Sequence, residues 1–229
     1  MCLSTIRIAS VALLLFFTFS LAQAKEYGNY DPKRIVTFSE TPSGKQAGID
    51  LNYLDQILND LGLHATNYPP QFDTPQDRQR AIQDIKTLSG MLDILLSDPS
   101  PNPEILLRAG FINSLGHNLD IPGSGEKTSA IFQRLLSASP SDPRANYMYG
   151  RFLAGANKPE EAIPHLEKAL AAGVGDAAYA LGMTYLSLGD KEKALENLED
   201  YRKRSPNDGN AAVIIDAIRN GKIERKKMN

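Results

Sequence analysis

The chain has 229 residues, with 25 basic side chains against 27 acidic ones, a single cysteine and no tryptophan. That near-balance argues against nucleic acid as the general partner. A lone cysteine at position 2 excludes a disulfide framework and any thiolate-rich metal site.

The first elements are those of a leader. Residues 1–7 carry one positive charge, Arg7, and no acid; residues 8–21 are almost wholly apolar; Ala22-Gln23-Ala24 then places small residues where a signal peptidase reads them. This is the pattern of a secretory signal peptide, with a cut expected after Ala24. The apolar stretch is shorter than the roughly 20 residues a spanning helix needs, so an uncleaved membrane anchor fits poorly. No cysteine follows it, so a lipid anchor is not expected either. Cleavage removes Cys2 and Arg7 and leaves 24 basic side chains against 27 acidic, a formal charge of −3. The expected mature chain is thiol-free, periplasmic or secreted, and not stably inserted in a membrane.

Residues 25–45 are polar, interrupted by Pro32 and Pro42, and read as extended or poorly ordered. Leu51, Leu54, Leu58 and Leu61 recur at helical spacing over residues 50–61, and Gly62 closes that helix. Thr74-Pro75-Gln76-Asp77 is a helix start, a capping residue followed by proline and then an acid. The helix it opens runs to about Leu96 with an apolar stripe of Ala81, Ile82, Ile85, Leu88, Leu92 and Leu95. Residues 25–100 thus form a partly irregular helical extension. It either prolongs the array that follows or folds over its end, as a cap or a contact between copies.

From residue 101 the chain repeats itself. Ala130, Ala162 and Ala194 are spaced by 32, and the same shift carries Ser137 onto Ala169 and Tyr201 and Gly150 onto Gly182. A fixed period in this range means stacked supersecondary units. Apolar residues at helical spacing predict helices over 103–116, 126–139, 142–156, 159–171, 176–188 and 191–204. Asn157 and Gly189, each seven positions after Gly150 and Gly182, suit the left-handed conformation that ends a helix. The step from Ala109 to Gly116 repeats that interval and marks an earlier, degenerate unit. Between it and Ala130 lies an insertion, residues 117–125, read as a surface loop with a binding role as the alternative. Ala211, Ile214, Ile215 and Ile218 predict an end-capping helix over 210–220. The tail turns basic, with Arg219, Lys222, Arg225, Lys226 and Lys227 against Glu224. The expected fold is all-α: an α-solenoid of about three antiparallel helix hairpins plus a capping helix over residues 101–229.

The small residues have a steric reason: Gly150 and Gly182 let paired helices approach, and Ala162 and Ala194 do so from the facing helix. Gly182, Tyr185, Ala194 and Leu198, closed by Pro206, resemble the tetratricopeptide repeat family, as do Gly150, Leu153, Ala162, Leu166 and Ala169 in the unit before. The resemblance implies a superhelix whose first helices line a concave groove for a protein or peptide partner. Carried over by position, its groove residues are Arg144, Tyr147 and Arg151 in one unit and Asp176, Tyr179, Met183 and Leu186 in the next. Leu106 and Asn113 correspond in the degenerate unit. Tyr147 and Tyr179 either form adjacent steps of the groove or pack between helices. Some relatives clamp a C-terminal carboxylate with Lys, Asn and Arg; Leu106, Tyr147 and Tyr179 stand where that pattern would begin, so that mode is not expected.

Chemistry is sparse. His64, His117 and His165 sit in no metal-ligand spacing, and no phosphate-cradling or nucleophile-elbow motif occurs. Ser124, between Gly123 and Gly125, reads as a helix cap. The pairs Glu160-Glu161 and Glu199-Asp200 read as solvated. No catalytic residue, metal or cofactor is therefore expected. The function expected is a non-catalytic scaffold or adaptor of the periplasm or cell envelope that binds a protein or peptide in the groove. The alternatives are a self-associating envelope subunit that assembles as a homo-oligomer through residues 25–100, or an enzyme with a site in that region.

Overall fold

The computed structural model describes residues 26–42 and 44–222. The expected leader with its cut after Ala24, and Glu224, Arg225, Lys226 and Lys227 of the basic tail, lie outside the described residues.

Among the described residues nine α-helices follow one another: α1 Leu51–Ala65, α2 Pro75–Leu96, α3 Pro103–Asn118, α4 Ser124–Ala138, α5 Pro143–Gly155, α6 Pro159–Ala171, α7 Asp176–Leu188, α8 Lys191–Arg204 and α9 Gly209–Arg219. Their starts are written locally. Asp50, Thr74, Asn102, Asp142, Asp190 and Asp208 each accept a hydrogen bond from a first-turn amide, satisfying a donor the helix itself leaves open. Proline occupies the first turn of α2, α3, α5 and α6, where it breaks no hydrogen bond. The hairpin turns after α5 and α7 use left-handed residues, Asn157 at φ 59° and Gly189 at φ 84°. The amides that follow, Lys158 and Asp190, donate back to the Leu153 and Tyr185 carbonyls. None of the described helices is long and apolar enough to cross a membrane.

Helices α3/α4, α5/α6 and α7/α8 pair as consecutive hairpins, and α9 packs on α8. Three glycines fix the pairing distance. A Cβ added at Gly110 would sit 2.8 Å from the Phe132 ring, one at Gly150 2.7 Å from Leu166 Cγ, and one at Gly182 2.6 Å from Leu198 Cγ. This corrects the register expected for the degenerate unit. Gly110, not Ala109, is the equivalent of Gly150 and Gly182. On the facing helix Thr128 and Leu135 are wholly buried, while Ala130 and Ser137, which the period of 32 selected, are exposed. Thr128 to Ala162 is 34 positions and Ala162 to Ala194 is 32, so a strict period slips by two in the first unit. Helix α3 also runs past Gly116, whose Cβ position abuts Ser124. The insertion is therefore helical at both ends, and only residues 119–123 form a connection. Gly123, at φ 79°, precedes α4 without a side-chain cap, and Ser124 is buried inside the helix rather than capping it.

Of the two readings of the polar start, extended or poorly ordered, the extended one describes residues 36–41. Pro32–Ile35 form a 3-10 turn, and β1 (Val36–Thr41) pairs antiparallel with β2 (Gly44–Ile49), Phe38 opposite Ala47. The run Val36-Thr37-Phe38 favours a pleated strand, a signal outweighed by the polarity around it. Behind the hairpin, residues 26–31 strap α1 to α2. Tyr27 is 1% exposed, its hydroxyl donates to Asp84 Oδ2 at 2.7 Å, and its carbonyl accepts from Arg80 at 2.7 Å. The Gly28 amide and Tyr30 hydroxyl donate to Asp60, each at 2.9 Å.

The extension is welded to the array. Lys127 donates to Ser89 Oγ at 2.7 Å, and Ser89 donates to Asn113 Oδ1 at 2.9 Å, joining α4, α2 and α3. Arg134 of α4 donates to the carbonyls of Leu96, the last residue of α2, and of Pro99 beyond it, at 2.6 and 3.1 Å. One apolar cluster consequently runs from Tyr27 to Ile218.

Candidate partner-binding groove

The first helices of the hairpins line a concave groove of about 740 Å³. Its walls are the α1–α2 loop (Thr66, Asn67, Tyr68), then α3, α5 and α7, with Tyr201, Asp208 and Asn210 closing the far end. Of the residues expected there, Tyr147, Arg151, Asp176, Tyr179 and Met183 line it together.

Tyr147 is half-buried, and that burial, opposed by Arg151, raises its phenol above the ordinary tyrosine range. The Arg151 guanidinium carbon stands 5.6 Å from the centroid of the Tyr147 ring, within reach of the attraction between a cation and an aromatic face. One unit on, the Tyr179 ring lies 5.2 Å from that of Tyr201. The Tyr201 hydroxyl donates to Asp208 Oδ2 at 2.7 Å, which with the Asn210 amide holds the Asp208 carboxyl below its usual range. Met183 remains 38% exposed on the groove wall.

Two expected groove residues lie elsewhere. Arg144 is held by Glu104, which also accepts from Arg108 at 2.8 Å; Arg108 in turn grips both oxygens of Asp55 at 2.7 Å. This chain of alternating charges ties α5, α3 and α1 and pulls the Glu104 carboxyl down to about 2, Arg144 contributing most. Leu186 turns away from the groove and packs, half-buried, against the core. In the degenerate unit Leu106 and Asn113 are 3% and 2% exposed, because α2 and α1 cover that side of α3.

The corrected register shows what fills the wall instead. The residue directly after each close-approach glycine faces the groove: Phe111 after Gly110, Arg151 after Gly150, Met183 after Gly182. Phe111 was therefore legible from the glycines, had the overlay been anchored on Gly110. Ser114 and Asn118 follow it at helical spacing. Tyr68, 69% exposed on the α1–α2 loop, has no signal in the repeat at all.

The histidines serve packing. His64 Nδ1 lies 3.0 Å from the Gln71 carbonyl and its ring stacks on Phe72 at 4.9 Å. His165 Nδ1 lies 3.0 Å from Asn146 Oδ1, and burial lowers its pKa. His117 meets the Phe152 ring at 5.4 Å. Among the described residues no three His, Cys, Asp or Glu side chains gather as a metal site.

The tetratricopeptide repeat family matches this chain over residues 123–180 and 153–213. A 90-residue stretch is 31% identical to human aspartyl/asparaginyl beta-hydroxylase and 30% identical to the mouse protein. Each match covers 39% of this chain, which spans only 12% of the length of those relatives. Among solved structures, MamA superposes with a TM-score of 0.54 at 25% identity, over 66% of this chain and 86% of that one. YrrB, described as a TPR protein with an unusual peptide-binding site, shares the fold with a TM-score of 0.51 at 20% identity, over 72% of this chain and 84% of its own. The hairpins, their glycine-set crossings and these likenesses make residues 123–213 an array of tetratricopeptide repeats.

Proposed function

We propose that the protein is a non-catalytic scaffold of the periplasm or cell envelope that holds an extended peptide or protein segment across α3, α5 and α7. The observation that carries this is the contrast between two arginines about two helical turns apart on α5. Arg144 is bound to Glu104, whereas Arg151 forms no ion pair among the described residues and lies on the Tyr147 face inside the groove. Arginine and tyrosine so placed are the residues that dominate interface energies. A volume of about 740 Å³ suits a few partner side chains.

The leader pattern of residues 1–24 supports export. The titratable cluster near the N-terminus supports a non-catalytic reading: Asp60, His64, Asp77 and Asp84 are 3–8% exposed, packed under Tyr27, and none of them lines the groove. A cluster sealed in this way braces a helix pair rather than meeting a substrate.

The test compares the immobilised protein with its Arg151→Glu variant as bait for envelope extracts. Loss of an interface anchor of this kind costs about 2 kcal/mol or more, roughly a 30-fold drop in affinity. The wild type is expected to retain a partner that the variant loses, with melting temperatures within a few degrees of each other because the one contact Arg151 gives up is its place on the Tyr147 ring. Equal capture by the variant contradicts the groove reading.

A further inference from the structure

We propose that the β1–β2 hairpin is a self-pairing arm: β1 of one copy adds antiparallel, edge to edge, to β1 of a second copy, making a four-stranded sheet across a twofold axis. The starting observation is a hairpin that little else in the chain covers. Residues 37–40 and 44–48 are exposed, and Phe38 at its middle is 73% exposed. An isolated two-stranded hairpin is marginal in water; three or more strands with a shared apolar face are needed for stability.

The ladder says which groups are offered. The Asp50 amide donates to the Ile35 carbonyl at 2.7 Å, a bonded position at the base of the hairpin. Bonded positions alternate along an antiparallel pair, so the backbone groups of Val36, Phe38 and Glu40 turn away from β2; the Val36 amide is taken by the Lys33 carbonyl in the 3-10 turn, which leaves the Val36 carbonyl and the amides and carbonyls of Phe38 and Glu40 for the open edge. The same three side chains share one face, beside Ile49, Ala47 and Lys45 in the register. Edge strands are ordinarily blunted by lysine, proline or a bulge. β1 has no lysine and no proline, and its pairing with β2 is continuous.

The charge pattern selects a second copy as the occupant. β1 has cations at its base, Lys33 and Arg34, an apolar centre of Val36 and Phe38, and an acid toward its tip, Glu40. Neither Lys33 nor Glu40 joins an ion pair among the described residues. Antiparallel pairing about Thr37 sets each Phe38 beside the other copy's Val36, and each Glu40 beside the other copy's basic base. Opposite charges and apolar pairs directly across strands are stabilising, and like charges are not. A parallel pairing would place the two acids side by side.

The experiment is sedimentation of the full chain over a concentration series. The wild type is expected to double in mass as concentration rises, while Phe38→Lys stays monomeric with an unchanged melting temperature, since Phe38 touches so little. Glu40→Lys should weaken the dimer several-fold and Glu40→Lys with Arg34→Glu should restore it, a readout that survives any loosening of the hairpin by the Phe38 variant. A wild type that stays monomeric throughout overturns the proposal. So does a dimer that persists in Phe38→Lys, or a charge swap without rescue.

Discussion

Tyr27→Ala is expected to be among the most destabilising single changes in this protein, by about 3–5 kcal/mol, the usual range for truncating a buried aromatic. In a chain of this size that is a fall in melting temperature of roughly 6–20 °C. Tyr27 lies outside every helix, so sequence position alone predicts a change within about 0.5 kcal/mol. Its surroundings say otherwise. The ring meets Tyr30, His64 and Phe72 at centroid distances of 5.6, 5.8 and 6.3 Å, and the hydroxyl is the donor to Asp84. Tyr27→Phe isolates the second contribution. Burial raises the Asp84 carboxyl above its ordinary pKa, and the Tyr27 hydroxyl partly offsets this. A raised folded-state pKa favours the fold at low pH, and that advantage is lost as pH rises through it. Removing the donor raises the pKa further, so the Phe variant should be weakest near neutral pH and approach wild type as Asp84 protonates. Thermal melts of the three proteins across pH check both statements; a Tyr27→Ala protein that melts with wild type would show that the strap is not part of the core.

The second large effect comes from one substitution made at two glycines, with opposite signs. Gly182→Ala should cost about 2 kcal/mol, within the range for overpacking a tight core. The new Cβ would stand 2.6 Å from Leu198 Cγ and 3.2 Å from the Ala194 carbonyl oxygen, so a backbone atom as well as a side chain must yield. That exceeds the gain of about 1 kcal/mol from removing a helical glycine. At Gly90, in α2, nothing lies within 4 Å of the Cβ position, and Gly90→Ala should stabilise by about 0.5–1 kcal/mol. Denaturant titrations of the two variants decide the matter. Stabilisation in both would mean that α7 and α8 are not held at glycine-limited distance.

The array was legible where local rules and packing agree. Helices α6, α7 and α8 have the ends expected from Pro159, Gly189 and the alanine spacing, because first-turn Pro159 opens α6, left-handed Gly189 closes α7 and the Asp190 side chain caps α8. Where they diverge the sequence misleads. Ala130 has the right residue type at the right interval, but the connection after α3 moves the crossing to Thr128, whose side chain hides its polarity by donating to the Ser124 carbonyl. The groove was legible through α5 and α7 and not through α3, since α1 and α2 cover the face that the repeat alone leaves open. Arg144 shows the same limit: its partner Glu104 is 40 positions away, and no periodicity reports which arginine a distant carboxylate will take. The β1–β2 hairpin was hidden because its strands are short and mostly polar.

The central claim is that the concave side of α3, α5 and α7 holds the partner. A photo-crosslinking side chain placed at Met183, on the groove wall, should trap one discrete partner when the protein is irradiated in its native compartment. The same group at Lys168, exposed on α6 and away from the groove, should trap none. Adducts formed at Lys168 but not at Met183 would contradict the account.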